Sequence, residues 1–179
     1  VKAFDIVKLS LLAQLGIVSL ILLSPRPAFA QYSLPTGWRK PALAETDGEW
    51  RKKSPTRFLL AKGDFDGDGQ EDTAELLVDL PGKHFGLFVK LAGAAGWQRL
   101  DGGEGDIKDL AEFGISPVKP GKYKTACGKG YGDYACSHGE PEVLELSRPA
   151  VDYFYNESSD FIFYWDAKAK KFIQIQMSD

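Results

Sequence analysis

A mainly β protein, built of antiparallel strands with one or two short helices, is what the sequence predicts. Three observations carry that prediction: apolar and polar residues alternate with a period of two over several stretches, Gly- and Pro-rich turns separate those stretches, and only two short segments carry helix signals.

Val1 to Ala30 stands apart from this pattern and reads as a secretory signal. Lys2 and Lys8 make a positive start, Leu9 to Leu23 is an apolar run too short to span a bilayer comfortably, and Ala28-Phe29-Ala30 presents small residues where a signal peptidase cuts. An uncleaved anchor is the alternative, opposed by the short apolar run and by Pro25 and Pro27. No Cys follows the run, which disfavours a lipoprotein anchor. The predicted organisation is a signal peptide over 1–30 and a single β-rich domain over 31–179, exported to the periplasm or the extracellular space, with no stable membrane insertion after cleavage. Residues 31–179 suffice for one core. They carry a net charge of about −5 once Lys2, Lys8, Arg26 and Asp5 are set aside, which disfavours a nucleic-acid partner.

The elements follow in order along the chain. Thr46 with Glu49 three residues later forms a capping-box pattern ahead of Trp50 and Arg51. Ala74, Leu76, Val78 and Leu80 share one face of a strand, with Thr73, Glu75 and Asp79 on the other. Leu87, Val89 and Leu91 repeat the alternation after the Pro81-Gly82 turn, and Gly93 to Gly96 predicts a hairpin turn into Trp97 to Leu100. "LDGGEGD" reads as a turn-rich segment, and Asp106 to Phe113, closed by Gly114, as a brief amphipathic helix. Phe161, Phe163 and Trp165 alternate with Ile162 and Tyr164, and the polar connector Asp166 to Lys170 leads to Ile173, Ile175 and Met177, a second hairpin. There is no internal repeat.

The stretch "AKGDFDGDGQEDTAELLV", Ala61 to Val78, carries the strongest chemical signal. Counting from Asp64, side-chain oxygens fall at positions 1, 3, 5 and 9 through Asp64, Asp66, Asp68 and Asp72, and the backbone carbonyl of Gln70 falls at position 7. Alternating carboxylates in a tight turn point toward a common centre, Gly67 and Gly69 allow the backbone to turn, and hard oxygen ligands suit Ca²⁺. Glu75 at position 12 completes the helix-loop-helix calcium pattern formally. The flanks oppose that pattern, because Leu76 to Leu80 alternates as a strand and stops at Pro81. The expectation is therefore a calcium-binding β-hairpin loop. An acidic, solvated turn without metal is the alternative, opposed by the mutual repulsion of four crowded carboxylates.

"GDFDGDGQEDTAELLV" resembles the calcium loop of FG-GAP and VCBS-type repeats, in which an Asp-x-Asp-x-Asp-Gly-x-x-Asp turn joins β-strands in extracellular proteins. The resemblance implies Asp64, Asp66, Asp68, Gln70 and Asp72 as the metal ligands, and it makes Glu75, already in the outgoing strand, a doubtful one. It spans about twenty residues. The exported chain as a whole resembles small bacterial secreted proteins with one such loop. Propeller-forming members stack many repeats, so neither a propeller nor an adhesion role is implied.

Cys127 and Cys136 are the only cysteines, and in an exported chain they are expected to form a disulfide. It would close a ten-residue loop, worth about 3 kcal/mol in the chain-entropy account. A zinc site of Cys127, Cys136, His138 and Glu140 is the alternative, at a spacing unlike the common zinc patterns. "GKGYG" lacks the Lys-Ser/Thr ending and the strand-helix context of a phosphate loop.

His84 and His138 are the only histidines, and no Ser or Cys stands in a recognisable nucleophile context. Tyr153, Tyr155, Phe163 and Trp165 could line a sugar-binding face or, at strand spacing, belong to the core. The reading is a secreted or periplasmic calcium-binding protein, non-catalytic, binding a protein or a glycan as an inhibitor or accessory subunit. A small exported hydrolase acting on cell-wall or extracellular polymer, with structural calcium, is the alternative of different class.

The exported form should begin at Gln31. Intact-mass measurement of secreted protein checks this, and a full-length mass in the membrane fraction would refute it.

Overall fold

Alternating residues in this chain become strands that pair antiparallel throughout. The computed structural model describes residues 33–52, 57–131, 136 and 139–178. The signal segment and the expected terminus at Gln31 lie outside these residues. In the first sheet, β1 (Trp38–Arg39) and β2 (Leu60–Gly63) share one edge of β3 (Asp72–Asp79), whose other edge pairs with β4 (His84–Lys90) and then β5 (Gln98–Asp106). β6 (Phe113–Val118) opens a second sheet, while β7 (Gly121–Lys124) and β8 (Val143–Leu146) form a separate ribbon. β9 (Ala150–Tyr155), β10 (Asp160–Asp166) and β11 (Lys171–Ser178) complete the second sheet in the order β6-β9-β10-β11.

Period-two alternation decides which side chains meet. Ala74, Leu76 and Val78 of β3 and Phe85, Leu87 and Val89 of β4 bury against Ile115, Val151, Tyr153 and Phe163 of the second sheet, so the two sheets share one apolar layer. The intervening residues Ala150, Ile162, Ile175 and Met177 pack with Leu144 and Leu146 of the ribbon. Because both faces of the second sheet are covered, its β10 strand is apolar on both, which accounts for the run Phe161 to Trp165. Truncating a fully buried residue of the shared layer, such as Leu76 or Leu87, removes about 2–5 kcal/mol of stability.

Four local expectations are corrected. Leu80 is 63% exposed rather than on the inner face. β3 stops at Asp79, and Leu80 donates its N–H to Gly37 in the turn that follows. The helix at 106–113 is a 3₁₀ segment, Ile107–Glu112, capped by Asp106, whose side chain accepts from the Lys108 N–H. The backbone is already extended at Phe113, so Gly114 lies inside β6 instead of ending a helix. Thr46 and Glu49 form no capping box; Glu49–Arg51 is a short 3₁₀ turn entered through Gly48 without a side-chain cap. "LDGGEGD" is strand, not turn. Two of its glycines answer to the neighbouring strand, since a Cβ on Gly105 would lie 2.5 Å from the Phe85 ring and one on Gly103 2.6 Å from the Leu87 Cβ. The pairing register slips between Gly86 and Phe88 to absorb the irregularity.

Asp152 stands on the ribbon-facing side of β9. Ser116 Oγ donates to its Oδ2 at 3.1 Å, while Oδ1 is buried with no partner among the described residues. Burial pushes its carboxyl up from 3.8 to about 6, and the nearby Asp160 charge adds to the rise. A raised carboxyl contributes stability at low pH that is lost as pH climbs through its folded value, here between about 4 and 6. Asp152→Asn cannot ionise and should melt higher than wild type at pH 7, by a free energy on the order of 2–3 kcal/mol, with the difference vanishing near pH 4. Thermal melts of both proteins across this range check it; parallel curves would refute it.

Candidate metal centre

The carboxylate-rich stretch forms the loop between two antiparallel strands. β2 ends at Gly63 and β3 begins at Asp72, and these two residues are register partners, so Asp64 to Glu71 closes a hairpin. Inside the loop the side chains replace the missing ladder. Asp64 accepts from the Gly67 and Gly69 N–H groups at 2.7 and 3.0 Å, and Asp66 accepts from Asp68 at 3.1 Å. Gly67 and Gly69 take φ of +82° and +86°, the left-handed region that glycine enters without strain. Arg148, between β8 and β9, donates to the Asp66 carbonyl. A Cβ on Gly67 would stand 2.8 Å from that guanidinium, so the arginine lies directly over the turn.

Asp64, Asp66 and Asp72 each offer an oxygen within 4.8 Å of the other two. Two ligands on one Ca²⁺, each at about 2.3–2.6 Å, can stand no more than roughly 5 Å apart, so the three oxygens fit around a single ion. Asp72 anchors the set. It is 1% exposed, and its Oδ2 accepts from the Phe65 N–H at 2.8 Å and the Asp66 N–H at 3.4 Å, while Oδ1 accepts from Ala92 at 2.8 Å. Burial pushes the Asp72 carboxyl up, the Ala92 and Phe65 donors pull it partly back, and the adjacent Asp66 charge raises it again. A dication placed among these oxygens would reverse both unfavourable contributions.

Of the four expected carboxylate ligands, the structure draws three together. Asp68 is exposed and turned to its own neighbour, accepting from the Gln70 backbone N–H at 2.8 Å and from its side-chain amide at 3.0 Å. Asp68 and Gln70 thus face each other across the tip of the turn. Glu75 pairs with Leu60 within the strands, and its carboxylate lies 3.4 Å from the Lys40 ammonium, which removes it from the loop's ligand set. Ala92 and Arg148 hold the site from far along the chain, and no motif marked them.

Cys127 and Cys136 form a disulfide. With both sulfurs bonded to each other, neither is available to zinc as a thiolate, and His138 lies outside the described residues. Of the four aromatics considered for a sugar-binding face, Tyr153 and Phe163 are core residues at 2% exposure, while Tyr155 is exposed. Trp165 packs edge-on against Phe172. Among the described residues no helix is long and apolar enough to cross a membrane. Compared with family models, with curated proteins and with solved structures, the chain matches none.

The Asp72 geometry separates a structural role from a ligand role. Asp72→Ala leaves the buried Phe65 N–H and the Ala92 N–H without acceptors, a cost that outweighs the relief of repulsion from the more exposed Asp64 and Asp66. The variant should lose about 2–4 kcal/mol even in chelator. Urea unfolding in chelator measures it, and a loss below about 0.5 kcal/mol would show that these bonds do not hold the loop.

Proposed function

We propose that this chain is an exported calcium-binding protein of the periplasm or extracellular space, non-catalytic, whose folded state is held by one Ca²⁺ in the 64–72 loop and which binds a protein or a glycan. The observation that carries the reading is the convergence of the Asp64, Asp66 and Asp72 oxygens within the span of one ion, on a loop between antiparallel strands. That strand-loop-strand setting is the one implied by the FG-GAP and VCBS-type resemblance, and it differs from a helix-loop-helix site. The disulfide agrees with an oxidising compartment.

Calcium in this position would neutralise the like charges that crowd the turn and add bonds across the hairpin mouth. Both effects exist only in the folded chain, so binding becomes stability. At calcium a hundredfold above Kd the gain should be about 2.7 kcal/mol over the same protein in chelator. Magnesium, which needs a smaller octahedral cage and sheds water reluctantly, should give less. Asp64→Asn combined with Asp66→Asn should remove most of the gain. Melting curves of both proteins in calcium, magnesium and chelator test the proposal. Identical wild-type melting in all three would sink it.

A further inference from the structure

We propose that the outer face of the first sheet carries a binding site for a neutral sugar ring, in a groove of about 360 Å³ walled by Trp38, Asp79, His84, Arg99 and Glu104. This deepens the reading of the chain as a binding protein but does not depend on its metal loop. The site arises from the side of β3 and β4 that faces away from the shared core. Leu77, Gly86 and Glu104 lie in one cross-strand row, and Phe88 and Arg99 in the next. Phe85 and Gly105 complete the lining, and Gly86 lies beneath Trp38. A Cβ there would press on the Phe88 ring at 3.2 Å and touch the Trp38 ring at 3.4 Å, so the indole lies close against the strand at this position. Phe88 supports Trp38 at 4.6 Å between centroids, edge to face.

Polar groups stand in two pairs around this aromatic wall. Asp79 accepts from the Lys83 N–H at 2.7 Å, from the His84 N–H at 3.1 Å, and lies 3.1 Å from His84 Nδ1. The ring is thereby oriented, and its Nε2 has no partner among the described residues. Burial disfavours the Asp79 charge, but the His84 and Lys83 N–H donors outweigh it and hold the carboxyl below the usual range, which suits a group that accepts from hydroxyls rather than one that donates a proton. On the other wall, Arg99 lies 3.7 Å from Glu104, and both side chains are about half exposed. That separation exceeds a hydrogen bond, and an exposed pair of this kind contributes little, so a ligand hydroxyl can enter between them at small cost.

The charges decide the class of ligand. Two carboxylates and one guanidinium line the groove, which opposes an anionic ligand, and a neutral ring bearing several hydroxyls can donate to Asp79 and Glu104 and accept from Arg99 at the same time. Arg99 lies over the Trp38 ring at 5.7 Å from its centroid, so indole and guanidinium form one wall that offers such a ring both an apolar surface and a hydrogen-bond donor. The volume lies at the small end of the range for small-molecule sites, about 300–1,000 Å³, which accommodates one or two sugar units.

Saturation-transfer NMR with calcium present and again in chelator, with glucose, galactose, mannose and N-acetylglucosamine as neutral probes and glucuronate and glucosamine as charged ones, tests the assignment separately from the metal loop. At least one neutral probe should bind saturably with a millimolar Kd. Arg99→Ala and Glu104→Gln, both at exposed positions that the core does not use, should each weaken it about tenfold, and Trp38→Ala should abolish it. Absence of saturable binding by all four neutral probes, binding of charged probes alone, or unchanged affinity in Arg99→Ala and Glu104→Gln would each overturn it. Because Trp38 also packs on Phe88, the two exposed variants decide the question if Trp38→Ala fails to fold.

Discussion

Asp72 opens β3 with 1% of its surface exposed, and its two oxygens take the backbone N–H groups of Phe65, Asp66 and Ala92. One carboxylate therefore closes the loop on its own hairpin and ties that hairpin to the turn after β4. A buried ionised group is costly unless it is fully hydrogen-bonded or paired with a cation. Here the donors offset only part of the cost, and Asp66 adds a second negative charge beside it. The same residue that organises the loop is thus the one whose charge a bound cation would relieve most.

The loop is not a self-contained motif. Arg148 reaches the Asp66 carbonyl from the connection between β8 and β9, and the next residue, Pro149, approaches Gly63 so closely that a Cβ there would stand 3.0 Å away. Both contacts come from the segment that leads into the second sheet. That segment is positioned because β9 is buried on both sides, by the shared core through Val151 and Tyr153 and by the ribbon cluster through Ala150. Packing far from the loop consequently sets the position of a positive charge directly over its turn.

β3 carries a carboxylate at each end, and the two environments act on them in opposite directions. At its start Asp72 is pushed up by burial beside another acid; at its end Asp79 is held down by the His84 and Lys83 donors. A dication would relieve the first arrangement, whereas the second keeps an ionised carboxylate ready to accept hydrogen bonds. Between them the inner residues of the strand belong to the core, so a rigid element fixes the spacing of the two candidate sites.

Local pattern and spacing alone determined the antiparallel β character, the two hairpins at 72–90 and 160–178, the position of the acidic loop between strands, and the pairing of Cys127 with Cys136. These are short-range matters, decided by period-two alternation, turn residues and the scarcity of cysteine. Tertiary structure decided the rest. Glycines at 102, 103 and 105 read as a turn because a sequence does not show the Gln174, Leu87 and Phe85 side chains that crowd them in turn. Tyr153 and Phe163 could have faced solvent or core until a second layer covered them. Among the loop acids, nothing in the spacing set Asp72 above Asp68; burial against Phe65 and the approach of Ala92 did. The groove of Trp38, His84, Arg99 and Glu104 was illegible for the same reason, since its members lie on three strands far apart in the chain, and only the pairing register of β1, β3, β4 and β5 brings them to one face.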